Sequence, residues 1–215
     1  MSIESPLAAA VRTDFDPQVL ACIHDQEVEL ALWHRRLPWG LVRWLEELPA
    51  AHLPGARLSL DVASAAPALD AAFDASGTPP CVWRDVLRDD IVQIATRLAR
   101  VIGGERVQLR LEAVTDNACR RLHRDCVPLR LLTTYHGPGT EWVVPEFADF
   151  ALASPDGYDG PMERLSAGSV ALFKGCGFPG QLHERGIVHR SPPIAGSGIT
   201  RLVLCLNVPP GGAAP

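Results

Sequence analysis

Lysine is almost absent from this sequence. Lys174 is the only lysine among 20 basic residues, and the arginines are scattered along the chain. We interpret this as a compositional bias rather than as a functional signal. Acidic residues outnumber basic ones, and the formal net charge is −5 at pH 7. The chain therefore has no electrostatic footprint for nucleic acid or for an anionic membrane, and we expect it to bind neither.

Long apolar runs and export signals are also missing. No apolar run approaches the length of a membrane span, and residues 1–17 show no basic head followed by an apolar core. We therefore expect a cytoplasmic protein without a signal peptide. In that compartment cysteines are normally reduced, and we expect them to act mostly as small buried side chains. The six cysteines form no C-x-x-C pair and stand at Cys22, Cys81, Cys119, Cys126, Cys176 and Cys205.

The common nucleophile and nucleotide motifs are absent as well, since there is no G-x-S-x-G, Walker or dinucleotide-binding glycine pattern. What remains is an ordinary globular composition, with 47% apolar and 21% charged residues in 215. This length suits one domain over residues 1–215. We expect a helical and α/β N-terminal elaboration over residues 1–104 and a β core over residues 105–210.

The N-terminal part mixes the two periodicities. After a loose arm to Asp16, Asp16-Pro17 has the pattern of a helix start. The clearest helix spans residues 82–102, where apolar residues form one stripe and Gly103-Gly104 provides the end. Shorter helices are predicted at residues 38–48 and 66–73, and strands at residues 28–33 and 58–62.

From residue 105 onward the period is two almost throughout. Residues 107–113 alternate strictly, which predicts a half-buried strand. Short strands separated by Gly/Pro turns, after a helical opening, are typical of a small barrel or jelly roll. We therefore predict a mainly β (α+β) double-stranded β-helix or jelly-roll barrel with N-terminal helices packed outside. The other candidate strands are residues 129–135, 141–144, 169–173, 186–189 and 201–208.

Three residues in this region have the pattern of a metal site. His123 and Asp125 are two apart, so on a strand both side chains point to the same face. His189 follows 64 residues after Asp125 and lies at the exit of a short apolar segment. Two histidines and one carboxylate suit a borderline divalent ion, iron(II) in particular, and leave coordination positions open. We predict that His123, Asp125 and His189 bind a metal.

A charged residue opens the last apolar run. Leu202, Leu204 and Leu206 share one face of this predicted strand, which places Arg201 on the other. An inward-facing arginine needs an anionic partner. A bidentate grip on a ligand carboxylate would provide one.

These residues together resemble the cupin-like double-stranded β-helix oxygenases that use iron(II) and 2-oxoglutarate. The resemblance implies His123, Asp125 and His189 as ligands and catalytic residues, with Arg201 binding the far carboxylate of 2-oxoglutarate. It implies a helping hydroxyl from Tyr135 or Thr133. The expected activity is a hydroxylase-type dioxygenase reaction on a small-molecule or peptide substrate that the sequence does not identify.

Two further segments resemble a bacterial family of unknown function. They are Arg130 to Trp142 and His189-Arg190-Ser191-Pro192. This resemblance covers most of the chain and brings no established activity. The oxygenase resemblance covers about the last hundred residues, and a shared fold does not fix function.

Other functions stay open at this point. A non-catalytic cupin-like protein could handle zinc or iron with the same three ligands, and a barrel that has lost catalysis could serve as an interaction module. The oligomeric state is not indicated by the sequence.

Individual residues also have plainer interpretations. His123 could pair with Asp125 or an arginine, and His189 could cap a loop through Ser191. Arg130 is a rival to Arg201 as the carboxylate clamp. His136 and His183 are substitute ligands, and Cys119, Cys126 and Cys176 could offer thiolates to zinc, although their spacing matches no common zinc site.

Overall fold

The structure is a computed structural model, and it describes residues 9–182 and 184–209. Ten strands of these residues form two sheets, and neither closes into a barrel. The strands are β1 Val11–Asp14, β2 Leu30–Trp33, β3 Ala56–Asp61, β4 Arg106–Val114, β5 Leu129–His136, β6 Glu141–Val143, β7 Met162–Arg164, β8 Val170–Lys174, β9 His189–Arg190 and β10 Arg201–Asn207.

Helices are concentrated in the first half of the described chain. Four are α-helical: α1 Trp39–Glu47, α2 Ala65–Ala75, α3 Val82–Val101 and α4 Ala148–Ala153. Short 3₁₀ segments occupy Pro17–His24, Ala50–His52, Val62–Ser64 and Pro145–Phe147. The 3₁₀ helix at Pro17 begins as predicted, because the Asp16 carboxylate accepts a hydrogen bond from the Gln18 amide at 2.8 Å. None of the described helices is long and apolar enough to cross a bilayer.

The larger sheet has seven strands in the order β1-β2-β8-β5-β10-β4-β3, and the smaller has three in the order β7-β6-β9. Only the β1–β2 pair in the larger sheet is parallel. Three strands of this sheet come from before residue 104, so the sheet crosses the boundary predicted between the N-terminal elaboration and the β core.

The helices cover one face of the larger sheet, as predicted. Helix α3 buries an unbroken apolar stripe that includes Leu87, Ile91 and Leu98, all fully inaccessible to solvent. This stripe packs with the apolar side chains of β4, β5 and β10 in the main core. Each such side chain contributes about 1.5–3 kcal/mol on burial. The helical layer therefore holds the central strands of the sheet in place.

The opposite face of the same sheet looks toward the smaller sheet. A second apolar cluster joins the two sheets and includes Leu132, Phe173 and Cys205 from the larger one and Trp142 from the smaller one. The space beyond this cluster is polar, and four of the predicted site residues lie there: His123, Asp125, His189 and Arg201. The larger sheet therefore has one side covered by helices and one side that faces the smaller sheet and the polar space.

The N-terminal arm is a correction to the sequence prediction for its described part. Residues 11–14 were expected to be loose, yet they form β1 and pair in parallel with β2. The indole of Trp33 also donates a hydrogen bond to the Phe15 carbonyl at 3.0 Å. A four-residue edge strand has too little periodicity to recognise, because its conformation is set by backbone pairing. The three-residue β7 and the six-residue α4 were missed because each is too short to show a recognisable period.

Candidate metal centre

The structure brings His123, Asp125 and His189 together. The backbones of His123 and His189 form an isolated antiparallel bridge, with reciprocal hydrogen bonds of 3.1 and 3.0 Å. One ligand atom from each of the three side chains lies within 4.8 Å of the others. Among the described residues this is the one cluster of three or more histidine, cysteine or acidic side chains with metal-binding spacing. His123 lies in a bridge rather than in a regular strand.

The segment that carries Asp125 is fixed by a close approach to the chain after β8. The Cys176 amide donates to the Asp125 carbonyl at 2.9 Å, and the Gly175 amide donates to the Pro128 carbonyl at 3.0 Å. A Cβ atom at Gly175 would lie 2.7 Å from the Asp125 carbonyl oxygen and closer still to that of Val127. Glycine is therefore required at position 175 for this packing.

Backbone carbonyls set the tautomers of both histidines. Nδ1 of His123 lies 2.8 Å from the Arg121 oxygen, and Nδ1 of His189 lies 3.0 Å from the Ile187 oxygen. A carbonyl can only accept, so each Nδ1 carries the proton and each Nε2 keeps its lone pair. Burial lowers the pKa of His189, and the charge of nearby His123 lowers it too, against the opposing attraction of Asp125. Neutral His189 is the form that binds metals.

The Asp125 carboxylate is buried and only half satisfied. Its Oδ1 accepts a hydrogen bond from Nη1 of Arg130. Its Oδ2 has no hydrogen-bond partner and lies 3.4 Å from Nε2 of His189. A buried anionic oxygen without a partner is costly unless a cation completes it. The donor set and this orphaned oxygen therefore fit a divalent metal ion.

Arg201 lines a cavity together with His123 and His189, and the volume of this cavity is about 70 Å³. It is 2% exposed. Its Nε donates to the Pro138 carbonyl at 2.6 Å, and its Nη2 has no hydrogen-bond partner. Burial lowers the pKa of Arg201 to about 10, so the side chain is still charged at neutral pH. An unpartnered, buried guanidinium nitrogen fits a ligand carboxylate.

The turn before β6 makes room for this arginine. Gly137 has φ +78°, and a Cβ atom there would lie 2.6 Å from the Thr200 carbonyl oxygen and 3.1 Å from the Arg201 side chain. Both the backbone conformation and the space therefore require glycine. The turn then presents the Pro138 carbonyl to Arg201 and places Thr140 in the cavity wall.

The acidic side chain whose charge acts on Arg201 is Glu141, and it is already paired with two other arginines. Glu141 accepts hydrogen bonds from Arg164 and from Nε of Arg190, the latter at 2.8 Å. Burial opposes ionisation of Glu141, but these two arginines outweigh it and lower its pKa. Glu141 attracts Arg201 at a distance without bonding to it. The free nitrogen of Arg201 thus stays available.

Thr133 and Tyr135 are not brought to the cavity. They lie on the helix-facing side of β5, where the Tyr135 hydroxyl donates to Oδ2 of Asp90 at 2.6 Å. Asp90 also pairs with Arg35. Burial and the charge of Asp90 raise the pKa of Tyr135 well above its usual value, against the effect of Arg35. The hydroxyls that do line the cavity belong to Thr140 and Ser191.

A family profile matches residues 14–207 and bears the description "Protein of unknown function (DUF1826)". The chain belongs to this family. The match confirms the resemblance to a family of unknown function, and it brings no activity. No curated protein matches the sequence.

Solved structures similar to this DUF1826 protein include a dioxygenase for auxin oxidation from rice, at 18% identity and a TM-score of 0.50, covering 95% of this chain and 85% of that one. A dioxygenase for auxin oxidation from Arabidopsis thaliana in complex with 2-oxoglutarate matches at 12% identity and 0.45, with coverages of 95% and 92%. A prolyl-4-hydroxylase from Pseudomonas putida matches at 16% and 0.42, with coverages of 89% and 92%. The rice match confirms the predicted double-stranded β-helix fold.

The alternative site residues of the DUF1826 chain have other positions. His136 ends β5 and faces a separate cavity beside Gly137 and Pro138. His183 lies outside the described residues. Arg130 is bonded to Asp125 and donates from Nε to Oδ1 of Asn207 at 3.1 Å, so its guanidinium holds the Asp125 carboxylate in place. Cys119 lines the cavity as a free thiol.

Sequence reasoning missed several cavity residues. Thr140 follows the Gly137-Pro138-Gly139 turn, and that turn was the signal that could have indicated it. Arg110 and Glu112 lie on β4 and were read only as the polar face of an alternating strand. Their position in the cavity wall depends on the pairing of β4 with β10, which the sequence does not specify.

Proposed function

We propose that this protein is an iron(II)- and 2-oxoglutarate-dependent oxygenase that carries out a hydroxylase-type reaction. One observation carries the proposal. A His-Asp-His cluster with free ligand atoms shares a cavity with a buried arginine whose outer nitrogen has no partner. Sites that only bind a metal have no need of such an arginine, whereas an oxygenase uses it to bind the carboxylate of its cosubstrate.

In this proposal Nε2 of His123, Nε2 of His189 and Oδ2 of Asp125 hold the iron. When bound, iron(II) with 2-oxoglutarate supplies oxidising chemistry, in which dioxygen and the 2-oxo acid are consumed and one oxygen atom enters the substrate. The three protein ligands leave positions open on the metal for this chemistry. The protein contributes position and electrostatics.

Around the metal, the chain's own groups orient the ligands. The Arg121 and Ile187 carbonyls keep the protons of the two imidazoles on Nδ1. Arg130 occupies Oδ1 of Asp125, so Oδ2 is the oxygen that would hold the metal. Such outer contacts typically change metal affinity by about 10–100-fold when they are removed.

At the other end, Arg201 and Thr140 bind the far carboxylate of 2-oxoglutarate. The guanidinium offers the unpartnered Nη2, and Nε is held by the Pro138 carbonyl so that the side chain cannot turn away. Between the two ends, Leu132 and Val203 line the cavity and limit access of water. A dry cavity strengthens the attraction between guanidinium and carboxylate.

The test is an anaerobic titration of the iron(II)-loaded protein with 2-oxoglutarate, followed by the visible charge-transfer band of the chelate. We expect the wild type to develop the band and Arg201→Gln to require at least about tenfold more 2-oxoglutarate, since one charged hydrogen bond is worth about 1.5–3 kcal/mol. Arg106→Gln is the control, because it removes an exposed charge that pairs with Asp61 outside the cavity.

Equal 2-oxoglutarate affinity in the Arg201 variant would overturn the clamp assignment. No band in the wild type, together with tight zinc binding that depends on His123 and Asp125, would favour a metal-binding protein without redox turnover.

A further inference from the structure

The metal cavity adjoins a larger groove on the same face of the seven-stranded sheet. The two share the walls formed by Arg110, Arg130 and Cys205. The cavity measures about 70 Å³ and the groove about 370 Å³. Small-molecule sites usually enclose about 300–1,000 Å³, so the groove has the room for a substrate that the cavity lacks.

Two arginines lie side by side in the wall of this groove. Arg57 on β3 is the register partner of Arg110 on β4, and Arg110 is in turn the partner of Cys205 on β10. Directly opposed residues on one face have Cβ atoms about 4.5–5.5 Å apart. Two like charges in this arrangement repel each other, so an anion between them would be favourable.

Nothing in the described chain neutralises this pair fully. Arg57 has no hydrogen bond or ion pair with any described residue. Arg110 has one acidic neighbour, Glu112, whose carboxylate lies 3.4 Å from its Nε. Both side chains of that ion pair are more than a third exposed, so it contributes little and leaves the outer guanidinium nitrogens open.

The other arginines near the metal are engaged already. Arg130 bonds to Asp125, and Arg190 bonds to Glu141. On the opposite side of His123, Arg120 and Arg121 both pair with Asp156. Among the arginines that line the cavity and the groove, those left with open guanidinium nitrogens are Arg201 inside the cavity and the Arg57–Arg110 pair beside it.

We propose that the substrate is a small anionic molecule, bearing a carboxylate or a phosphate group, which Arg57 and Arg110 bind in the groove while its reacting part extends to the metal. This rests on the proposed function. The two positive ends separate the tasks, because the buried Arg201 takes the cosubstrate and the open pair selects the substrate. In a chain of net charge −5, a local basic pair also attracts anions to this one place.

The experiment uses the full chain loaded with zinc, a redox-inert stand-in for iron(II), and saturated with 2-oxoglutarate so that Arg201 is occupied. Benzoate, phenyl phosphate and benzyl alcohol are then titrated by calorimetry. The three share an aromatic ring and differ in charge. The variant is R57Q/R110Q, and the control is R106Q, which removes an exposed arginine of β4 that pairs with Asp61 outside the groove.

We expect at least one of the two anions to bind the wild type and R106Q at least tenfold more tightly than benzyl alcohol does. That preference should be lost in R57Q/R110Q. R57Q alone, which changes a side chain of the groove that does not line the metal cavity, should weaken anion binding and leave the affinity for 2-oxoglutarate unchanged. The relative affinities of benzoate and phenyl phosphate then identify the anionic group. Equal binding of benzyl alcohol, no anion binding to the wild type, or anion binding that survives in R57Q/R110Q would overturn the proposal.

Failure of the proposed function gives a different result. If the zinc-loaded wild type does not bind 2-oxoglutarate, the oxygenase assignment fails. The same three probes are then titrated into R201Q with and without the two groove substitutions. Anion binding that depends on Arg57 and Arg110 would still establish the groove as an anion site, and its absence would remove both.

Discussion

Two buried arginines on opposite sides of the seven-stranded sheet differ in how completely the protein satisfies their hydrogen bonds. Arg84, on the helical side, donates to the Thr78 and Asp70 carbonyls at 2.9 and 3.0 Å and pairs with Asp74 at 2.6 Å. Arg201, on the side of the metal centre, donates to one carbonyl and leaves Nη2 unpartnered. The two are 5% and 2% exposed, so burial does not distinguish them.

The difference indicates what each residue is for. Arg84 ties α2 and the turn that follows it to α3, and its partners are all part of the chain. Arg201 is held in place by Pro138 with part of its bonding capacity unused. An unmade buried hydrogen bond costs about 1–3 kcal/mol, which the rest of the fold must offset. A ligand that accepts a hydrogen bond from Nη2 would remove this free-energy cost.

The largest expected effect is the loss of metal affinity when Asp125 is changed. Asp125→Asn should weaken binding of zinc or iron(II) by about 100-fold or more, because it removes the one carboxylate of the proposed triad. This loss is larger than the usual effect of removing a contact that only orients a ligand. Anaerobic calorimetry with each metal measures this. Asp149→Asn is the matched control, because that carboxylate is 98% exposed. Metal affinity that is equal in the two variants would show that the triad is not the metal site.

The comparison of the two arginines can be tested directly through stability. Arg84→Met should lower the free energy of unfolding by about 2–3 kcal/mol, because charged hydrogen bonds are lost. Arg201→Met should change it by less than about 1 kcal/mol, because an apolar side chain replaces a partly unpaired charge. Urea unfolding of the metal-free protein measures both. Equal losses would mean that Arg201 is a structural residue like Arg84.

A third test separates the two faces through their hydroxyl groups. Tyr135→Phe should lower the free energy of unfolding by about 1 kcal/mol through loss of the bond to Asp90, and it should leave 2-oxoglutarate affinity unchanged. Thr140→Val should leave the free energy of unfolding nearly unchanged and lower the affinity for 2-oxoglutarate by about three- to tenfold. If Tyr135→Phe weakens 2-oxoglutarate binding and Thr140→Val does not, the assignment of faces to functions is wrong.

The smallest effect concerns pH. The two arginines that bind Glu141 hold its pKa below the usual 4.5 in the folded state. Glu141 therefore contributes stability above pH 4.5 and loses it as the pH falls through the folded pKa.

The advantage of the wild type over Glu141→Gln should accordingly shrink below pH 4.5, by at most about 1.4 kcal/mol per pH unit for one proton. Urea unfolding from pH 6 to pH 3 measures this, with the exposed Glu146→Gln as the control. A difference that stays constant with pH would contradict the assignment.

Local patterns predicted much of the fold. The strict alternation in β4 and the apolar stripe of α3 were recognisable in the sequence, because each element has one buried face and one solvent-exposed face. The same reasoning placed Arg201 on the side opposite Leu202, Leu204 and Leu206, and the structure agrees. His-x-Asp with a distant histidine predicted the cluster that the structure brings together.

The faces of β5 could not be predicted in this way. Both sides of this strand are buried, so its sequence has no wet face to orient it. Thr133 and Tyr135 do share a face, as expected, but it is the face that packs against the helices. The hydroxyls of Thr133 and Tyr135 therefore do not line the cavity, whereas Thr140, from a neighbouring turn, does.

The residue types of the His-Asp-His cluster, the helical layer and the inward arginine could be predicted from the sequence, because short-range periodicity and side-chain chemistry are local properties. Strand order, the partner of each buried carboxylate and the opposition of Arg57 to Arg110 follow only from the folded sheet. Residues more than fifty positions apart meet there through backbone pairing, which carries no mark in the side chains that it brings together. The tertiary structure therefore decides which arginines bond to the protein itself, as Arg84 does, and which keep an unpartnered nitrogen, as Arg201 does.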